Sequence, residues 1–158
     1  MSTQTEIPTS EPLIIMRRTY DAPRAKVWEA STEPRHVKRW WGGPGFRNPV
    51  CEMDVRPGGR WHHVMVFPDG HELVMDFVFI EVEPPSRLVW QNIDHGKRKG
   101  PPPTCKITST LEADGEKTHT MMIAEFSSFA DRDYALGMGF TGPIAASNDR
   151  LVEYLKTI

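Results

Sequence analysis

The sequence predicts an α+β domain in which an antiparallel sheet is closed by a C-terminal helix. Three observations carry that expectation. A strand-like run from Leu13 to Tyr20 passes through Asp21-Ala22-Pro23 into a helical stretch. From Val50 onward, turn residues separate alternating apolar runs, with Asp69-Gly70 and Asp114-Gly115 as the sharpest hairpin signals. Ile144, Leu151, Leu155 and Ile158 then form a helical stripe, with Asp149, Arg150, Glu153 and Lys156 on the opposite side.

Each element has a local reason. Met1 to Pro12 is polar and acidic, and reads as a disordered tail before a single domain over 13–158. Leu13 to Tyr20 is rich in β-formers. Pro23 suits the first turn of a helix over Arg24 to Ser31, where its missing N–H has no intrahelical acceptor anyway. Val27 and Trp28 face inward from it. Thr32-Glu33-Pro34 ends that helix and starts a second, which runs to about Trp40. Trp40 to Pro49 is too dense in Gly and Pro for regular structure. Pro57-Gly58-Gly59 is a turn, Pro84-Pro85 closes a third strand, and Gly100-Pro101-Pro102-Pro103 is a rigid connection. Gly137, Gly139, Gly142 and Pro143 predict a short helix around Asp131 to Met138, a break, and a main helix starting near Gly142-Pro143.

Composition bounds the function. The chain has 158 residues, a quarter of them charged, with a formal net charge of -2. Nucleic-acid binding needs a basic face to replace phosphate counterions, and this balance does not supply one. Lys97-Arg98-Lys99 is the basic cluster, and its Gly and Pro neighbours make it a solvated loop. No apolar stretch approaches the ~20 residues of a membrane helix. The N-terminus lacks the basic and apolar regions of a signal peptide, so the cytoplasm is the expected location. Cys51 and Cys105 lie in apolar strand-like segments and read as free core thiols.

Tight turns set register, and register sets which side chains share a face. With Asp69-Gly70 as a two-residue loop, Met65 pairs with Val74, His63 with Asp76, and Trp61 with Val78. Those six residues are assigned to the interior, with Ile80 and Val82. Phe77 and Phe79 then fall outside beside Leu73 and Met75, an apolar patch suited to a partner. A bulge that flips the face midway is the competing explanation. With Asp114-Gly115 as the second loop, Leu111 pairs with Thr118, Ser109 with Thr120, Ile107 with Met122 and Cys105 with Ala124. That face is the interior, and His119 is outward.

His63 opposite Asp76 is the constellation with a mechanism. A carboxylate in reach of an imidazole sets its tautomer and raises its basicity, as a general base requires. The same pair could anchor a polar ligand group, or simply satisfy its own buried hydrogen bonds. No catalytic residue is assigned beyond these two candidates. A metal is not expected: His62 and His63 point to opposite faces, and His36, His95 and His119 fall in different elements. No cofactor is implied, because Gly42-Gly43-Pro44-Gly45 and Gly58-Gly59 lack the Lys-Ser/Thr of a phosphate loop, and no G-x-S-x-G occurs. Trp41, Phe46, Trp61, His63, Met65, Asp76, Trp90, Met122, Phe126, Met138 and Phe140 are the expected lining of a ligand site, with ordinary core packing as the alternative for each.

A family resemblance rests on several segments together. They are Arg18-Thr19-Tyr20-Asp21-Ala22-Pro23-Arg24-Ala25-Lys26-Val27-Trp28-Glu29-Ala30, Trp40-Trp41-Gly42-Gly43-Pro44, Met53-Asp54-Val55-Arg56-Pro57-Gly58-Gly59-Arg60-Trp61, Phe67-Pro68-Asp69-Gly70, Glu81-Val82-Glu83-Pro84-Pro85-Ser86-Arg87-Leu88-Val89-Trp90, and Met138-Gly139-Phe140 with Leu151-Val152-Glu153-Tyr154-Leu155. The chain from Leu13 onward resembles the START-like (SRPBCC) domains, in the branch named after the C-terminal domain of the activator of Hsp90 ATPase. The resemblance implies a helix-grip fold, β-α-α-β6-α, in which a curved antiparallel sheet wraps a long C-terminal helix around an internal cavity. It implies a small hydrophobic or amphipathic ligand and, in many members, a homodimer. Carriers, cyclases and oxygenase domains share the fold without a common catalytic motif, and Hsp90 activation does not transfer with the name. Binding without chemistry is therefore the first expectation. A cyclase or hydrolase using His63 and Asp76 as base, and an interaction module docking through Met75, Phe77 and Phe79, are the alternatives. Pro143 departs from the family pattern, and is expected to widen the cavity mouth or mark a hinge.

Overall fold

The computed structural model describes residues 2–93 and 105–158. His95, the Lys97-Arg98-Lys99 cluster and the Gly100-Pro101-Pro102-Pro103 connection lie outside the described residues. In chain order the elements are β1 (Gln4–Glu6), β2 (Leu13–Tyr20), α1 (Arg24–Thr32), α2 (Pro34–Trp40), β3 (Arg47–Met53), β4 (Arg60–Val66), β5 (Glu72–Glu83), β6 (Arg87–Asn92), β7 (Cys105–Asp114), β8 (Lys117–Phe126), α3 (Phe129–Gly137) and α4 (Thr141–Leu155).

The strands form one antiparallel sheet in the order β1-β2-β8-β7-β6-β5-β4-β3. Strands β2 and β3 lie far apart in that sheet although only α1 and α2 separate them in sequence. The two short helices therefore cross from one side of the sheet to the other, where α1 and α2 both meet α4. This is the helix-grip arrangement, in which α4 is held against one sheet face. Leu151 and Leu155 of α4 are buried with Ser147, a four-residue spacing that puts them on one helical face. Pro143 sits in the first turn of α4, where its missing N–H is tolerated. The break before it, at residues 138–140, falls where the glycines predicted one.

The N-terminus differs from its expected disorder. The tail expected to be disordered contributes β1, which pairs with β2 through Gln4↔Arg17 and Glu6↔Ile15. Buried Arg132 of α3 donates from Nη1 to the Pro8 carbonyl at 2.5 Å and also reaches the Glu11 carbonyl at 3.3 Å. A polar segment is thus ordered by backbone hydrogen bonds rather than by apolar burial, which composition does not reveal.

The first hairpin differs by one residue from its expected pairing. Phe67 N–H donates to the His71 carbonyl and Gly70 N–H to the Phe67 carbonyl, both at 2.9 Å. Pro68-Asp69-Gly70 is therefore a three-residue loop, with Gly70 at φ +95°. Proline presets the turn and glycine supplies the left-handed third position, the usual chemistry of that loop length. The pairs become Trp61↔Phe77, His62↔Asp76, His63↔Met75 and Met65↔Leu73. Because strand side chains alternate, this single step turns all of β5 over. Phe77 and Phe79 face inward, which corrects the outward patch, and Val74, Asp76 and Val78 face outward instead of inward. A bulge between Phe79 and Glu81 then restores Val82 to the inner face and leaves Ile80 exposed.

The second hairpin is displaced by two residues, with Asp114↔Lys117, Leu111↔Thr120, Ser109↔Met122 and Ile107↔Ala124 paired. Gly115 at φ +60° is the first residue of the two-residue loop, the position where a type II′ turn needs it. An even displacement keeps every side chain on its face. Leu111, Ile107 and Ala124 are buried and His119 is exposed, as the sequence predicts.

Candidate functional site

The inner face of β4, β5 and β6 carries an aromatic cluster centred on Trp61. Its ring lies 4.9 Å from Phe77, 5.9 Å from Phe79 (stacked, 6° between planes) and 5.7 Å from Trp90. Trp41, in the loop after α2, closes the cluster edge-on at 5.2 Å from Trp61 and lies 5.1 Å from His63. These residues converge because Trp61↔Phe77 and Phe79↔Trp90 are cross-strand neighbours. Such aromatic pairs add about 0.5–1.5 kcal/mol each beyond area burial.

The Trp41 loop is pinned to α4. Gly42 N–H donates to Ser147 Oγ at 2.6 Å, Ser147 Oγ donates to the Pro143 carbonyl at 2.7 Å, and Arg150 Nη1 donates to the Gly43 carbonyl at 2.9 Å. Gly43 has φ +87°, and a Cβ there would lie 2.7 Å from that of Ala146. Glycine is required twice over, for the backbone angle and for the close approach to the helix.

His63 lies at the base of this cluster and is completely buried. Trp61 Nε1 donates to His63 Nδ1 at 3.2 Å, so the imidazole proton is on Nε2, which donates to Asn48 Oδ1 at 2.7 Å. Asn48 Nδ2 in turn donates to the Lys38 and Trp41 carbonyls, each at 3.0 Å. The chain of bonds ties β4 to β3, α2 and the Trp41 loop. Burial, with His62 next to it, pushes the His63 pKa down to about 4.

That geometry corrects the expected His63–Asp76 pair. Asp76 is on the outer face, where it meets His62 Nδ1 at 2.6 Å, and His62 is half-exposed. His63 has its lone pair engaged by Trp61 and its proton by Asn48. The neutral imidazole thus bridges Trp61 and Asn48 rather than facing a carboxylate. The docking surface proposed through Met75, Phe77 and Phe79 is also corrected, since Phe79 is 1% exposed and Phe77 packs on Trp61.

Of the other expected lining residues, Met65 is buried beneath Gly42, and Phe46 packs on Phe67 with ring centres 5.0 Å apart. Phe126 is buried against Phe140 at 5.7 Å, and Met122 packs against the same core. Met138 is 71% exposed and does not line the interior, because it caps α3 at the break instead of joining α4. Asn48 was the functional polar residue that sequence reasoning missed. Its place in a Gly/Pro-rich stretch concealed that β3 begins at Arg47.

Trp90 differs from the rest of the cluster. It is 93% buried by difference from its 7% exposure, and among the described residues its Nε1 has no hydrogen-bond partner. Trp61 Nε1 and Trp40 Nε1 are both satisfied, the latter by the Ala30 carbonyl at 2.9 Å. Trp90 thus leaves its indole donor unmet within the aromatic cluster.

Burial raises the pKa of Cys51 to about 11 and that of Cys105 to about 12, and both thiols are free. No helix among the described residues is long and apolar enough to cross a membrane.

A START-like helix-grip domain with an aromatic interior is the class that this fold and site define. The chain belongs to the activator of Hsp90 ATPase homolog 1-like protein family, whose model matches residues 21–156. It is similar to a protein from Nitrosomonas europaea of known crystal structure, with 26% identity, a TM-score of 0.82, and 92% of this chain and 94% of that one covered. A Mycobacterium smegmatis protein shares the fold at 19% identity and a TM-score of 0.86, over 97% of this chain and 96% of that one. A Rhodobacter sphaeroides protein does so at 20% identity and a TM-score of 0.86, over the full length of both. No curated protein matches the chain.

Proposed function

We infer that this protein binds a small apolar or amphipathic molecule carrying a hydrogen-bond acceptor, held against the aromatic cluster beside Trp90. The observation that carries this reading is the unmet Trp90 Nε1 donor. A buried donor without a partner is disfavoured by about 1–3 kcal/mol, and native proteins keep few of them. A ligand carbonyl, ether or hydroxyl oxygen would remove that penalty while its apolar body met Trp61, Phe77 and Phe79. Family membership supports the same class of function. The half-buried Trp41 side chain is the part of the wall best placed to admit a ligand.

Binding without turnover is the reading that fits His63, which has no free nitrogen for proton transfer. Native mass spectrometry of freshly purified protein, followed by rebinding of the released compound to wild type and Trp90→Phe, tests the proposal. A co-purified small molecule that Trp90→Phe rebinds about fivefold more weakly, the loss of one net hydrogen bond, is the expected result. A bare wild-type chain that also fails to bind the amphipathic probe 1-anilinonaphthalene-8-sulfonate would overturn it.

A further inference from the structure

At the α1–α2 junction, away from the aromatic interior, three potential ligand groups converge. Glu29 is in the last turn of α1, Glu33 is the extended residue between the helices, and His36 is in the first turn of α2. His36 is 5% exposed, and its Nε2 lies 3.5 Å from Glu29 Oε1 and 3.5 Å from Glu33 Oε2. All three ligand atoms fall within 4.8 Å of one another. The 3.5 Å separations are too long for good hydrogen bonds. They match the ~3.4 Å between neighbouring ligands of a tetrahedral ion with bonds of about 2.1 Å.

Three further observations point to a cation. The buried imidazole aims Nε2 into the carboxylate pair without a hydrogen bond there, while Nδ1 lies 2.5 Å from Tyr154 Oη on α4. A metal-binding imidazole has this division of labour, with the distal nitrogen held by an oxygen that orients the ring. Glu33 Oε2 is enclosed and has no hydrogen-bond partner of good geometry among the described residues. Finally, Arg35 Nη2 sits 3.1 Å from Glu29 Oε1 and 2.6 Å from Glu33 Oε2, bridging the same two oxygens that face His36. Its side chain is 64% exposed, so the guanidinium can leave without opening the core. A positive charge already occupies the position, supplied by the one member of the group that is free to swing away.

We propose that Glu29, Glu33 and His36 form a zinc-class divalent cation site, with Arg35 as the displaceable internal cation and Tyr154 as the residue that orients His36. The sequence pattern is Glu-x-x-x-Glu-x-x-His, hidden from helix-spacing arguments because Glu33 is not helical. Its position joins α1, α2 and α4, so an ion there would clamp the helical side of the grip. The fourth coordination position faces solvent and takes water.

Zinc titration of the full chain by calorimetry, with cobalt as an optical reporter of tetrahedral ligation, tests this. One ion per chain is expected, with a tetrahedral cobalt spectrum. Glu29→Gln/Glu33→Gln abolishes it; both side chains are substantially exposed, so the fold survives. Arg35→Gln tightens binding, and Tyr154→Phe weakens it about tenfold. His119→Ala, which removes an exposed histidine next to Asp114, leaves it unchanged. Absence of binding, or equal binding by the double glutamine variant, overturns the proposal. Weaker or unchanged binding by Arg35→Gln would overturn the role given to Arg35.

Discussion

Trp61 Nε1 and His63 Nδ1 are joined by a 3.2 Å hydrogen bond along a single strand, and this bond places the imidazole proton on Nε2, toward Asn48. The pair locks two inward residues of β4 to each other and, through Asn48, to the loop that carries Trp41. Protonating Nδ1 breaks it.

Acid stability follows from that bond. His63 has a folded pKa near 4, below the usual histidine value of 6.5, so the folded state binds fewer protons than the unfolded state between those limits. Its contribution to stability is fully present above about 6.5, declines as pH falls, and levels off below about 4, for a total loss of up to about 3 kcal/mol. Thermal unfolding of wild type and His63→Gln between neutral pH and pH ~4 should show a shallower decline in the variant. Parallel curves would refute the assignment.

Opposite outcomes are expected at two positions of β5. Phe79→Ala removes a ring that is 1% exposed and stacked on Trp61, and should destabilise by about 3–5 kcal/mol. Val74→Lys changes a residue that is 56% exposed, and should fall within about 0.5 kcal/mol of wild type. Denaturant unfolding of both variants checks the register, since a one-residue slip would reverse the outcome at Val74.

Gly43→Ala should destabilise by about 2 kcal/mol, because it adds a methyl 2.7 Å from Ala146 Cβ at a backbone angle of φ +87°. Ala146→Gly in the same chain should recover part of the loss, since it relieves the clash but not the backbone strain. Full recovery would mean that the angle is not constrained.

Replacing Trp90 by Phe should change the stability of the ligand-free protein by no more than about 1 kcal/mol, because deleting an unmet donor offsets the packing lost with the smaller ring. Melting temperatures of ligand-stripped samples decide this. A substantially larger loss would count against an unmet indole N–H in the free protein.

Cys51 and Cys105 should react with a thiol reagent only on unfolding, since burial holds their pKa values near 11 and 12. Labelling that is complete at neutral pH without denaturant would contradict it.

The legibility of the sequence varied with the parity of its errors. Leu13–Tyr20 and both short helices could be read within a residue or two, because Pro23 and Pro34 mark helix starts that few other residues would. In the β7–β8 hairpin, placing the loop one residue early shifted the pairing by two, and the interior survived. In the β4–β5 hairpin, a two-residue Asp69-Gly70 loop in place of Pro68-Asp69-Gly70 shifts the pairing by one, putting Asp76 where Met75 lies opposite His63 and creating a false His63–Asp76 dyad. Trp61 and Trp90 are buried and Trp41 half-buried, since bulk favours burial there. The roles of Asn48 and Tyr154 could not be read, because both depend on partners brought together from distant segments.

Strand β1 has a consequence for how this molecule meets its neighbours. An open sheet offers two rows of free backbone groups, and each is a template on which another chain can add a strand. Here Gln4–Glu6 occupies the row along β2, with charged Glu6 outermost and paired to Arg17 at 3.4 Å. At the other border β3 carries Pro49, which has no N–H to offer, at a point where the ladder is already irregular. Each border is thereby made a poorer template for strand addition. Deleting the first seven residues should expose the middle of β2 as a route to aggregation.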